Sequence, residues 1–203
     1  LQYASAYFKA RQTIVMFAVE QNGLALEYVV EDLRKGTTAA RDYVVPAAVK
    51  QNGLALQFAS EDVQSIQNVR VAVQQNGLAL QFASEDIKDN FDIVLRAVQQ
   101  NGLALEHASE MLRMDASIVY GAVSQDGLAL QYARYHNSDG VVSSAVRQNG
   151  LALQYASGER KNNIDIVRIA VRQDGLALQY ASGEMKNNID IVRIAVRQDG
   201  LAL

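Results

Sequence analysis

The chain has no cysteine and no tryptophan, and its 203 residues include only one proline and two histidines. Without cysteine there can be no disulfide, thiolate metal site or cysteine nucleophile. The same absence is compatible with a reducing compartment and weakly favours an intracellular location. No uninterrupted run of about 18 apolar residues occurs, so we expect no membrane insertion.

The chain also lacks a large excess of charge of either sign, since its formal net charge is only −3. Apolar residues make up 49% of the chain and charged residues 20%, which is ordinary for a folded protein. These values argue against a disordered polyelectrolyte and against a globally basic nucleic-acid binder.

A single motif, Gln-[Asn/Asp]-Gly-Leu-Ala-Leu, occurs eight times at spacings of 23 to 30 residues. Internal repeats at such periods are typical of solenoid proteins. The chain begins in the middle of a copy and ends in the middle of another, so we expect 1–203 to be one repeat array cut from a longer one. The motif glycines, which we assign to a structural turn, are Gly23, Gly53, Gly77, Gly102, Gly127, Gly150, Gly175 and Gly200.

Each copy also contains Val-x-x-Ala-Val just before the motif, as at Val167, Ala170 and Val171. The i, i+3, i+4 spacing predicts one buried face of a helix. The alternative is a leucine-rich-repeat-like horseshoe, whose period is similar. A buried strand would not accommodate Arg96 or Ser144, however, at the variable slot inside this pattern. We therefore predict an all-α fold, an α-solenoid of about eight two-helix repeats of roughly 25 residues.

In the seventh copy the first helix is expected over residues 165–172 and the second over 176–182. Gly175 is expected at the C′ position with positive φ, and Asp174 is expected to cap the second helix. The repeat register breaks at three places. The unit between Gly23 and Gly53 is longer and contains Pro46, where helical hydrogen bonding should fail or shift, and the linker around residues 137–140 is short.

Two recurring side chains have both a structural and a functional interpretation. A glutamine precedes the turn in every copy, and an aromatic residue, replaced once by His107, follows it. Both could contact nucleotides in a helical RNA-binding array. We favour a glutamine amide ladder between stacked turns and an aromatic packing stripe, because an unvarying glutamine offers no code for reading bases.

Candidate catalytic residues are scarce. His107 is best explained as a substitute for the aromatic residue, and His136 with Asp139 meets neither a metal-site count nor a nucleophile–base arrangement. No glycine-rich phosphate loop is present. We therefore predict no metal, no cofactor and no catalytic residue, and we expect that the chain is not an enzyme.

The variable outward positions of the first helix become basic toward the end of the chain. Residues 140–203 carry eight basic and six acidic side chains, whereas residues 1–139 carry 11 and 16. A row of arginines could bind an acidic partner or a phosphate, although a solvated helix face would look similar. The candidate partner-binding residues are Arg147, Arg168, Arg172, Arg193 and Arg197.

The unit Ala-Val-x-Gln-Asn-Gly-Leu-Ala-Leu-Gln-Tyr-Ala-Ser resembles a short tandem repeat family of unknown function, found in algal and other protist proteins and in bacterial proteins. The resemblance covers essentially the whole chain and implies no activity, cofactor or catalytic residue.

The first functional hypothesis is a non-catalytic protein-interaction scaffold, or a structural subunit whose open array ends are covered by neighbouring repeats or subunits. The second is a nucleic-acid-binding repeat protein that uses the basic stripe, which we disfavour. The third is a docking segment of an enzyme or effector whose catalytic part lies outside this chain.

Overall fold

The computed structural model describes residues 1–35, 37–134 and 138–202. Within these ranges the regular elements are helices, and none of the described residues forms a strand. The all-α prediction is therefore confirmed. The horseshoe alternative would require a strand in every repeat, which the described residues do not form.

Eight long helices, one for each motif copy, form the first element of the repeat in the described part of the chain. The Val-x-x-Ala-Val pattern lies within them, and its Val and Ala side chains are mostly buried, as at Val69 and Ala72. The long helices are α1 Gln12–Gln21, α2 Val45–Gln51, α3 Ile66–Gln75, α4 Phe91–Gln100, α5 Ala116–Gln125, α6 Asp139–Gln148, α7 Ile164–Gln173 and α8 Ile189–Gln198.

In seven of the eight motif copies the second helix is a 3-10 helix of six residues among the described residues. In the seventh repeat it covers Gly175–Tyr180, whereas the sequence predicted 176–182. Asp174 is its N-cap, because its Oδ1 accepts from the Leu176 N–H at 2.9 Å and its carbonyl accepts from the Ala177 N–H at 3.0 Å. A segment this short tolerates the tighter i→i+3 pattern. The others are Gly23–Tyr28, Gly53–Phe58, Gly77–Phe82, Gly102–His107, Gly127–Tyr132 and Gly150–Tyr155.

A third, very short helix lies in most linkers, which the two-helix interpretation did not anticipate. It begins after a serine in several repeats, and Ser182 Oγ accepts from the Met185 N–H at 3.2 Å. These helices have only three or four residues, so the linker sequence carries little periodic signal. They are Ala6–Lys9, Glu31–Leu33, Glu61–Val63, Glu85–Lys88, Leu112–Met114, Gly158–Lys161 and Gly183–Lys186.

The longer second unit contains a π-helix, Ala40–Val44, directly before α2. Pro46 lies at the first positions of α2, which continues directly from the π-helix because Val44 and Val45 both have helical backbone angles. The predicted shift of helical hydrogen bonding is observed at this junction, since the Val45 N–H donates to the Ala40 carbonyl five residues back. The short linker near residues 137–140 lies partly outside the described residues, and α6 begins within it at Asp139, with Ser138 as N-cap.

The turn glycines allow the backbones of neighbouring repeats to approach closely. The prediction of a positive φ at the turn is wrong. Gly150 and Gly175 are not in the left-handed region and instead begin 3-10 helices. A Cβ on Gly150 would lie 2.5 Å from the Ala170 carbonyl oxygen of the next repeat. The missing side chain therefore lets successive repeats pack closely.

The described chain forms two compact units, Leu1–Gln100 with His107–Ser109, and Asn101–Glu106 with Glu110–Leu203. Within the first, α1 to α4 pack consecutively, and within the second, α5 to α8 do so. Each core is built from the buried Val, Ala and Leu of the repeat. That residues 1–203 act as one array, and that they are part of a longer one, stays a prediction.

Candidate protein-interaction surface

The long helices of the second unit bury one face and expose the other. On α7 the buried side consists of Ile166, Val167, Ala170 and Val171, each at most 2% exposed. This spacing is what an amphipathic helix requires. The outward side carries the variable positions, which include the candidate arginines.

The arginine stripe, defined as Arg147, Arg168, Arg172, Arg193 and Arg197, lies on three consecutive helices. Arg147 is on α6, the next two are on α7 and the last two are on α8. Since α6 packs on α7 and α7 on α8, equivalent helix positions bring all five residues to the same side of this unit. Arg168 is half-buried, and the other four are exposed.

Four of the five stripe arginines form no ion pair with another described residue. Arg168 Nη1 donates to Asp165 Oδ1 at 2.9 Å, one turn earlier on α7. Among the described residues no ion pair involves Arg147, Arg172, Arg193 or Arg197. Their guanidinium groups are thus available to bind an anionic group of another molecule.

In the first unit the equivalent arginine forms an ion pair with a neighbouring helix. Arg70 on α3 matches Arg168 in the repeat, and its Nη2 lies 3.0 Å from Asp92 Oδ2 of α4. Arg96 Nε lies 3.2 Å from the same oxygen. The hydrogen bond from Arg96 is the main reason that the pKa of Asp92 is lowered, and Arg70 adds to it. Here the basic side chains are paired within the unit.

The predicted glutamine ladder is confirmed between successive repeats in each unit. Gln75 Oε1 accepts from the Gly53 N–H at 2.7 Å, and Gln75 Nε2 donates to the Lys50 carbonyl at 2.5 Å. The corresponding acceptors of glycine N–H groups are Gln51, Gln100, Gln125, Gln148 and Gln173, at 2.5–2.6 Å. Each amide thereby joins two adjacent turns, which supports a structural role.

The aromatic positions on the 3-10 helices are mostly half-buried, including Tyr132 and the equivalent His107. Burial is the main cause of a raised pKa for Tyr132, and a hydrogen bond with Glu106 raises it further. This environment is consistent with a packing stripe. His136 lies outside the described residues.

Some contacts between repeats carry no repeated sequence signal. Gln64 Nε2 donates to the Phe82 carbonyl at 2.8 Å, and Gln64 Oε1 accepts from the Ser84 N–H at 3.0 Å. Because Gln64 lies in a variable linker, only the fold identifies its contacts. A second contact recurs, since the Ser182 N–H donates to the Lys161 carbonyl and the Ser109 N–H to the Lys88 carbonyl, both at 2.9 Å.

The described residues contain no group of three His, Cys, Asp or Glu side chains that could hold a metal ion. None of the helices among them is both long and apolar enough to cross a bilayer. A cavity of about 390 Å³ in the second unit is lined mainly by apolar residues, including Leu176, Leu178 and Val192.

A family model described as a domain of unknown function (DUF4116) matches the chain five times in tandem, over residues 47–88, 69–113, 90–136, 140–186 and 170–203. Each match includes at least part of two consecutive long helices. This confirms the resemblance inferred from the repeated motif. Comparison with curated proteins and with solved structures finds no match.

Proposed function

The chain belongs to the DUF4116 family of tandem repeats, and from that premise we propose that it is a non-catalytic scaffold that binds a protein partner. The arginine stripe is the proposed binding surface, and an acidic segment is the proposed ligand. The observation that carries the proposal is the set of four exposed arginines without an ionic partner in the described structure.

Spacing and charge support this surface. Arg172 and Arg197 occupy the same position on neighbouring helices, and the axes of packed helices usually lie about 8–10 Å apart. A guanidinium binds a carboxylate through two parallel hydrogen bonds. The excess of basic residues after position 139 would also speed the encounter with an acidic segment.

A scaffold role also fits the distribution of the conserved motif within the chain. The repeated residues are used for packing, capping and the ladder, while the outward positions vary from repeat to repeat, as Tyr120, Ser143 and Arg168 illustrate. In repeat proteins such variable positions on a constant framework form the binding surface.

The test is fluorescence anisotropy of a labelled glutamate-rich peptide titrated with the whole chain. We expect binding that weakens as salt is raised, because exposed charges are screened. The double variant Arg172→Gln/Arg197→Gln should bind between about twofold and thirtyfold more weakly, since each exposed pair is worth about 0.2–1 kcal/mol.

The matched control is Lys50→Gln/Lys186→Gln, which removes the same charge at exposed positions outside the stripe and should leave binding nearly unchanged. Equal losses for both double variants would reduce the effect to net charge and contradict a specific stripe. A labelled oligo-uridine RNA serves as the competing probe. Tighter binding of this RNA than of the peptide would favour the nucleic-acid hypothesis instead.

A further inference from the structure

We propose that the glutamine ladder protects five asparagines of this chain from deamidation, so that each asparagine is a latent modification site controlled by the following repeat. The sites are the five Asn-Gly pairs of the motif, at Asn22, Asn52, Asn76, Asn101 and Asn149. Asparagine is among the residues that limit protein lifetime at high temperature. Before glycine it is most exposed to this chemistry, because no side chain hinders the glycine nitrogen.

The reaction needs the backbone nitrogen of glycine as its nucleophile. That nitrogen gives its proton to a solvent base and attacks Cγ of the preceding asparagine. The new N–Cγ bond forms as the Cγ–Nδ2 bond breaks, and the side-chain nitrogen leaves as ammonia after taking a proton from solvent. Water then opens the cyclic imide and produces either aspartate or isoaspartate.

In all five pairs the glycine N–H is hydrogen-bonded to the ladder glutamine of the next repeat. Gly53 donates to Gln75 Oε1 at 2.7 Å, and the other four distances are 2.5–2.6 Å. This bond must break before the nitrogen can lose its proton and turn toward Cγ. The nucleophile is therefore withheld by a side chain about 22 residues away in the sequence.

The asparagine side chain is held as well. Asn52 Oδ1 accepts from the Leu54 N–H at 3.0 Å, and Asn52 has an extended backbone with φ −147° and ψ 113°. Asn22, Asn76 and Asn149 have nearly the same angles. Both reacting groups are thus fixed by hydrogen bonds, and cyclisation requires these bonds to open locally.

The two products would have different consequences. Three repeats carry aspartate at this position, and Asp126 Oδ1 caps its 3-10 helix through the Leu128 N–H at 2.9 Å. Conversion to aspartate therefore keeps the cap. Isoaspartate instead adds a methylene to the backbone at a turn where the glycine already lies against the next repeat, so it would prevent the repeats from packing again.

The experiment compares Gln75→Ala with the matched control Gln74→Ala in the whole chain. Gln74 is the exposed neighbour of Gln75. Both proteins are incubated at mildly alkaline pH, and deamidation at each of the five sites is followed by peptide mapping with mass spectrometry. In Gln75→Ala we expect Asn52 to react about two- to tenfold faster. This factor corresponds to the net free energy of one hydrogen bond. The other four sites should keep their rates.

A second variant, Gln75→Glu, separates the effect of the Gly53–Gln75 hydrogen bond from an effect on general stability. Its carboxylate can still accept from the Gly53 N–H, but its second oxygen cannot donate to the Lys50 carbonyl and is repelled by it, so Asn52 should react more slowly than in Gln75→Ala. The proposal is overturned if Asn52 reacts equally fast in Gln75→Ala and Gln74→Ala, or as fast in Gln75→Glu as in Gln75→Ala. Reaction of the folded parent at the rate of the urea-unfolded chain would also overturn it.

Discussion

Replacing Gly150 by alanine tests whether the repeats are held together by close backbone approach. A Cβ at this position would lie 2.5 Å from the Ala170 carbonyl oxygen and 2.9 Å from Gln173 Oε1. Ordinary van der Waals contact begins near 3.4 Å, so the next repeat must move by roughly 1 Å. The obstructing atom is a backbone carbonyl of α7, which cannot rotate away as a side chain could.

The magnitude follows from two contributions. Inserting an atom into a well-packed region costs about 1–3 kcal/mol, and weakening the bond from the Gly150 N–H to Gln173 costs about 0.5–1.5 kcal/mol. We therefore expect Gly150→Ala to lower the free energy of unfolding by about 2–4 kcal/mol, a large part of the 5–15 kcal/mol typical of folded domains. Urea unfolding followed by far-ultraviolet circular dichroism measures this loss.

Gly183→Ala is the matched control, because nothing lies within 4 Å of its Cβ position and it begins a short α-helix. There alanine should be neutral or stabilising by up to about 1 kcal/mol. If the two alanine variants unfold at the same urea concentration, the steric explanation of the turn glycines is refuted.

Two further predictions concern capping and charge. Asn76→Ala should lower the free energy of unfolding by about 1 kcal/mol, because Asn76 Oδ1 caps a 3-10 helix through the Leu78 N–H. Asn76→Asp should be nearly neutral, because a carboxylate can accept the same hydrogen bond. Urea unfolding of both variants checks this prediction. Arg96→Gln should raise the pKa of Asp92 toward its ordinary value of 3.8, measured by NMR titration of the carboxyl carbon. Since folding lowers the pKa of Asp92, its ion pairs stabilise the fold above that ordinary value, and the stabilisation is lost as pH falls through the lowered pKa. An unchanged titration of Asp92 in Arg96→Gln would contradict this assignment.

Much of the architecture could be read from the repeated positions. The valine and alanine spacing located the long helices, and the Asn or Asp before glycine was expected to cap the next helix, as Asp174 does. The ladder glutamines were also recognised, because an unvarying amide offers no code for reading bases and is better explained by a structural contact. For the candidate surface, repeat equivalence was enough to place all five arginines on one side of consecutive helices.

Other features depended on atoms that are distant in the sequence. The sequence placed glycine at the turn, but only the fold shows that the Ala170 carbonyl of the next repeat requires it. Likewise, Arg168 and Arg70 occupy the same helix position, yet Arg168 pairs within its own helix and Arg70 pairs with Asp92 of the next one. Which carboxylate is nearer is a property of packing.

The sequence by itself determined that this protein is a helical repeat array, because helix periodicity and capping act between residues a few positions apart. Tertiary structure alone decided that the second element is a 3-10 helix, that a short third helix fills most linkers, and which side chains join adjacent repeats. The physical reason is that very short helices have little stability of their own. Their form is set by the neighbouring repeats against which they pack.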